Sequence, residues 1–164
     1  MMINGEVSTM SLYEGKLNAK NLKIAVVYSK FNSFVGDRLI DGAKNAFLQL
    51  DGNLDNLDIF KVPGSYETPG VVRRLVEKGK YDAIICLGVI IRGDTPHFEY
   101  VASNSSKAIM ELSAMGKIPV IYGLITADDV DQAIQRAGTK SGNRGYDAMM
   151  TAVEMANLYS QLSK

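Results

Sequence analysis

Apolar residues along the chain follow two patterns that take turns. Leu22 to Tyr28 is a mostly apolar, partly β-branched run, which suits a strand covered on both faces. Val35, Leu39, Ala43, Ala46, Phe47 and Leu50 then recur at helical spacing, and Asp51-Gly52 marks the stop. Leu57 to Val62 predicts a second strand, followed by Pro63-Gly64. Pro69 suits the first turn of a helix running to about Lys78, with Gly79 as its stop. Tyr81 to Ile91 is the most apolar run and is expected at the centre of the sheet. Thr95-Pro96 reads as an N-cap and a first-position proline, opening a helix that ends near Gly116. Pro119 to Leu124 predicts a fourth strand. Thr126 to Asp129 has capping-box spacing, with aspartate in place of the usual Glu or Gln, and opens a helix that stops near Gly138. A last helix runs from about Gly145 to Leu162.

This alternation predicts a parallel sheet with helices on both faces, a three-layer α/β/α sandwich around a four-stranded sheet. Residues 1–10 are polar and aperiodic and read as a flexible tail; residues 11–164 read as a single domain with no linker or repeat. The last helix adds a point. Ala148, Met149, Met150, Ala152, Val153, Met155, Ala156, Leu158 and Tyr159 go almost all round its axis. An outer helix should show one apolar stripe, so this one is either buried in the domain or meets another subunit on its second face. The interface reading is favoured, because a terminal helix in a small α/β domain rarely has other cover.

Composition narrows the class. Apolar residues make up 46% and charged residues 22% of the 164, which fits a packed domain rather than a disordered chain. Eighteen basic residues balance eighteen acidic ones, so there is no general pull toward nucleic acid or anionic membrane. The single cysteine, Cys86, cannot form an internal disulfide, and nothing near it resembles a metal-ligand set. No basic-then-apolar leader is visible, and the longest apolar stretch falls far short of the ~20 residues that span a bilayer. A cytoplasmic protein is expected.

In open α/β sheets ligands bind beyond the carboxyl ends of the strands. Those loops carry Ser29-Lys30-Phe31-Asn32, then Pro63-Gly64-Ser65-Tyr66-Glu67, then Arg92 to His97, and Thr126. The third is the most informative. Gly93-Asp94-Thr95 leads into a helix start, where free backbone N–H groups favour an anion, and His97 follows within the first turn. Histidine is the side chain suited to moving protons at neutral pH. Taken alone, His97 is more often a residue that merely closes a helix end. Glu67 taken alone fits a first-turn carboxylate, and Phe31 and Tyr66 fit core aromatics as well as ring-stacking groups. Arg136 to Gly145 holds three cations and three glycines; it can neutralise a phosphate or form a solvated turn, and it lacks P-loop spacing.

Together these residues resemble the lumazine synthase family. The resemblance runs from Tyr13-Glu14-Gly15-Lys16-Leu17 to about Asn157. Its landmarks are Ser29 to Asn32, Val62 to Glu67, Gly88 to Tyr100 and Gln132 to Lys140, in the family's order and near its spacing. It implies a flavodoxin-like fold, with the N-terminal segment pairing with a neighbouring subunit. It also implies a cofactor-free condensation of 5-amino-6-(D-ribitylamino)uracil with 3,4-dihydroxy-2-butanone 4-phosphate to 6,7-dimethyl-8-ribityllumazine, the penultimate step of riboflavin biosynthesis.

By position, Phe31 matches the family's aromatic that stacks on the pyrimidine. Ser65, Tyr66 and Glu67 match the loop that holds the ribityl chain, and Val89, Ile90 and Ile91 match the strand end that holds the uracil edge. Asp94 and Thr95 match the phosphate loop, and His97 the proton-transfer residue. Arg136 and Tyr122 match groups that reach in from the neighbouring subunit. Ser65-Tyr66 stands where bacterial members commonly have Ala-Phe, Tyr122 where phenylalanine is usual, and Arg144 where lysine is frequent. The resemblance further implies a homopentamer, with riboflavin synthase as a candidate partner. The short turn from Gly138 to Gly145 fits members whose pentamers close into an icosahedral shell of sixty subunits. Two other readings stay open: a riboflavin synthase of the archaeal type, and a non-catalytic flavin-binding or structural shell.

Overall fold

The computed structural model describes residues 9–138 and 142–164. Four strands, β1 (Ile24–Ser29), β2 (Leu57–Val62), β3 (Ala83–Ile91) and β4 (Val120–Ala127), form one all-parallel sheet in the order β2-β1-β3-β4. Between and after them run α1 (Ser33–Gln49), α2 (Thr68–Lys78), α3 (His97–Ala114), α4 (Val130–Arg136) and α5 (Arg144–Leu162). Single 3₁₀ turns precede β2 and α2.

Side chains of β1 and β3 alternate between two cores, as the period of a strand requires. Ile24, Val26, Ile85 and Leu87 pack with α1, α4 and α5 on one face. Ala25, Val27, Ile84 and Cys86 pack with α2 and α3 on the other. The three-layer sandwich is therefore present, with β1 and β3 buried along nearly their whole length. A sheet flanked by two helix layers explains why these strands read as continuous apolar runs.

Two helix starts differ from the sequence expectation. β4 continues to Ala127 because its ladder with β3 persists through Val89↔Ile125, Ile90↔Thr126 and Ile91↔Ala127. Thr126 is thus strand, not cap. Asp129 caps α4 instead, its carboxylate accepting from the Gln132 N–H at 2.8 Å, while Gln132 Oε1 accepts from the Asp128 N–H. A cap of capping-box type thus exists three residues further on, its return bond going to the residue before the cap. At α3, Pro96 occupies the cap position without a side-chain bond, and Thr95 Oγ1 meets the His97 N–H only at 3.4 Å.

The last helix owes part of its all-round cover to the chain's own N-terminal segment. Asn157 Nδ2 donates to the Lys16 and Asn18 carbonyls, and Gln161 Nε2 donates to the Glu14 carbonyl. A Cβ on Gly15 would collide with the Glu154 carbonyl, so glycine lets this segment lie directly on α5. Its other sides meet α1 and β4. Leu12 and Tyr13 stay exposed. Within the expected tail, residues 1–8 lie outside the described residues, as do Thr139, Lys140 and Ser141 of the basic loop.

Candidate active site

A cavity of about 630 Å³ opens beyond the carboxyl ends of β2, β1 and β3. β1 is the point where the sheet order reverses: the chain steps outward to β2 and then back across to β3. Connections leaving β1 and β3 diverge there and leave a crevice. Phe31 and Asn32 come from the turn after β1, and Ser65, Tyr66 and Glu67 from the 3₁₀ turn after β2. Val89, Ile90 and Ile91 form its floor at the end of β3, and Thr95 and His97 its far wall.

The floor exists because β3 outruns β1. Their ladder ends at Tyr28↔Leu87, whereas β3 stays paired with β4 to Ile91. Residues 88–91 thus have no strand partner on the β1 side among the described residues. Asn32 takes up part of that edge, its Nδ2 donating to the Val89 carbonyl at 2.9 Å. It does so from a left-handed backbone conformation (φ 62°), which asparagine tolerates better than most side chains. The turn leaves the neighbouring Phe31 ring 70% exposed at the mouth of the cavity.

Below the floor the packing is tight. A Cβ at Gly88 would fall 2.9 Å from the Ser29 Cβ, so glycine is needed where β3 passes under the β1 turn. Ser65 is buried, and its Oγ donates to Ser29 Oγ across a long 3.4 Å. That leaves its hydroxyl with capacity for a further bond. Tyr66 and Glu67 are exposed beside it, so one turn presents two hydroxyls and a carboxylate to a polar chain.

His97 is exposed at the first residue of α3. Backbone N–H groups at that end have no helical partner, and the helix dipole adds positive potential, so the wall carrying His97 also suits an anion. Asp94 lies in the loop that leads to this wall but does not line the cavity.

Tyr122 and Arg136 lie elsewhere. They line a second, smaller hollow of about 280 Å³ along the open edge of β4, with Thr126, Arg144 and Asp147. Arg136 Nη1 donates to the Thr126 carbonyl at 2.8 Å there. The two hollows share no lining residue. Burial raises the Tyr122 hydroxyl pKa above its ordinary value, with the nearby Arg144 charge opposing the shift. The chain therefore holds most of the expected site residues in one cavity, and Tyr122 and Arg136 in another.

Five lining residues were not singled out from the sequence as site residues: Asn32, Gly64, Gly93, Phe98 and Val101. All but Val101 fell inside the landmark motifs, but the roles of Asn32 and Phe98 depend on contacts with Val89 and Arg92 that no local pattern encodes.

The sequence profile of 6,7-dimethyl-8-ribityllumazine synthase matches residues 21–160. Two curated relatives from strains of Clostridium kluyveri, both named 6,7-dimethyl-8-ribityllumazine synthase, are 49% identical over 153 residues, covering 93% of this chain and 99% of theirs. Among solved structures, a de novo designed Rossmann fold protein is similar with a TM-score of 0.40 and 19% identity, over 70% of this chain and 92% of that one.

Proposed function

The chain belongs to the 6,7-dimethyl-8-ribityllumazine synthase family, and from that premise we propose that it condenses 5-amino-6-(D-ribitylamino)uracil with 3,4-dihydroxy-2-butanone 4-phosphate. The products are 6,7-dimethyl-8-ribityllumazine, phosphate and water, in the penultimate step of riboflavin biosynthesis. The observation that carries this reading is the switch-point cavity, which joins an exposed aromatic, a polar turn, an unpaired strand edge and a histidine at a helix start.

Each part fits a part of the substrates. The flat uracil stacks on Phe31, and its hydrogen-bonding edge lies along the β1-side backbone edge of residues 89–91, part of which Asn32 takes up at the Val89 carbonyl. The ribityl hydroxyls meet Ser65, Tyr66 and Glu67. The ketone phosphate lies toward Asp94, Thr95 and the α3 N-terminus, which places its carbonyl near His97. The uracil amine attacks that carbonyl, and water leaves to give an imine. Removal of a proton from the adjacent hydroxyl-bearing carbon expels phosphate and leaves an enol, which tautomerises to a new ketone. Attack of the ribityl-bearing amine on that ketone closes the ring with loss of a second water. His97 carries protons between these steps. Both reacting centres are uncharged, so much of the acceleration comes from holding them together.

Phosphate departure builds negative charge that a helix N-terminus and one arginine stabilise. Arg136 lies outside the cavity of its own chain, so this reading has a second copy presenting Arg136 and Tyr122 to the cavity. A closed ring of such copies, the pentamer, satisfies every site equally, because a head-to-tail interface repeats until it closes. A sixty-subunit shell, a riboflavin synthase partner and a cytoplasmic location complete the reading.

Mixing the protein with both substrates and following lumazine fluorescence tests it. Product well above the spontaneous background is expected. A rate equal to background rules the activity out, and conversion of lumazine alone into riboflavin points to the related synthase.

A further inference from the structure

The helix start that carries His97 has only a long side-chain cap, Thr95 Oγ1 accepting from the His97 N–H at 3.4 Å, and N–H groups at such an end fray unless something else holds the first turn. Arg92 stands beside it. Its Nη1 donates to Glu99 Oε1 at 2.6 Å, and its guanidinium carbon lies 4.5 Å from the centre of the Phe98 ring. Both partners follow His97 directly in the first turn of α3. From the same side chain, Nε donates to Asp128 Oδ1 at 3.0 Å. Asp128 opens the turn in which Asp129 caps α4, and Arg136 ends that helix and donates back to the Thr126 carbonyl. Arg92 is itself fixed at the end of β3, its N–H donating to the Ala127 carbonyl at 2.9 Å.

We propose that Arg92 is a positioning residue for the condensation. One guanidinium sets the first turn of α3, and through it His97 and Phe98, while holding the turn from which the Arg136 helix starts. The inference rests on the reading above, in which His97 serves one site and Arg136 serves the next. Arg92 then keeps in register the proton-transfer half of one site and the phosphate half presented to its neighbour.

Each ion pair alone is a weak argument, since both lie at the surface where water screens them. The guanidinium plane changes the balance. Its fork meets two carboxylates from different elements, and its face covers an aromatic ring, so three contacts order the same side chain. A lysine has no such plane and can satisfy only one of the carboxylates well.

The test compares Arg92→Met, Arg92→Lys, Glu99→Gln and Asp128→Asn with the parent protein. It measures kcat, KM for each substrate, and hydrogen exchange in peptides spanning residues 93–101 and 128–137. Glu99→Gln is expected to lower kcat about three- to tenfold, the scale of a displaced but intact catalytic group, and to speed exchange only in the first peptide. Asp128→Asn is expected to raise KM for the phosphate substrate by a similar factor and to speed exchange only in the second. Arg92→Met combines both effects, and Arg92→Lys restores part of them. Kinetics within about twofold of the parent for all variants overturns the proposal, as do identical changes in the two carboxylate variants. Where Arg92→Met fails to assemble, the carboxylate pair decides. A parent protein that forms no lumazine defeats the functional reading instead, and exchange still decides whether Arg92 holds both turns.

Discussion

Asn32 and Val89, 57 positions apart, are joined by one hydrogen bond from the Asn32 amide to the Val89 carbonyl at 2.9 Å. That bond ties the turn after β1 to the strand edge on which the cavity is built. Replacing Asn32 with leucine removes the bond and puts a branched side chain where φ is 62°. The expected loss of stability is about 1–2 kcal/mol. Asn32→Gly keeps the backbone and loses only the bond. Urea denaturation should therefore rank the parent first, glycine second and leucine last, and the KM for the uracil substrate should rise in the same order.

His97→Ala is expected to lower kcat about ten- to a hundredfold, at or below the low end for general acid–base catalysis, with little change in either KM. The side chain is exposed, so the melting temperature should stay near that of the parent. A loss confined to KM would make His97 a binding group only.

Arg136→Ala is expected to raise KM for the phosphate substrate about ten- to a hundredfold, since a hydrogen bond to a charged group contributes roughly 1.5–3 kcal/mol. The uracil KM should move much less. Because the two hollows belong to different parts of one chain, co-assembling Arg136→Ala subunits with His97→Ala subunits should recover activity. Interfaces between a His97 cavity and an Arg136 edge are then partly intact. Recovery no greater than the average of the separate variants would place both groups in one subunit's site.

Gly145 tests the packing of α5 on α1. A Cβ there would run into the Leu39 carbonyl, which is backbone and cannot rotate away. Gly145→Ala should therefore destabilise the fold by about 1–3 kcal/mol or more, despite alanine's better helix propensity. Denaturant titration of the two proteins measures this.

Stability should also fall on the alkaline side. Burial pushes the Cys86 thiol from 9.0 up to about 12. Burial and the hydrogen bond to Asp37 raise the Tyr28 hydroxyl above 10.0. Each folded-state pKa lies above its unfolded value, so the contribution is complete below the unfolded pKa. It is lost as pH rises through the folded one, because the unfolded chain releases these protons first. The decline for Cys86 should begin near pH 9 and continue to about 12. Unfolding free energy measured against pH should fall less steeply over that range in Cys86→Ala and above pH 10 in Tyr28→Phe, with the two effects overlapping above pH 10.

The apolar runs at Leu22 to Tyr28 and Tyr81 to Ile91, and stops such as Gly79 with its φ of 70°, were enough to determine four strands, five helices and their alternation. Such signals are local: the period of a strand or helix and the backbone freedom of a glycine act within a few residues. Motif order also determined the family and the loops that line the cavity. The length of β4 was decided by pairing with β3, which kept Thr126 in the ladder against its capping pattern. Part of the cover of α5 was decided by Gly15 and its neighbours, more than a hundred residues earlier. The separation of Arg136 and Tyr122 from His97 was decided by sheet order, which sets β4 at an edge and the cavity over β1. None of these can be read from local pattern, because each is a contact between segments that meet only after the chain has folded back on itself.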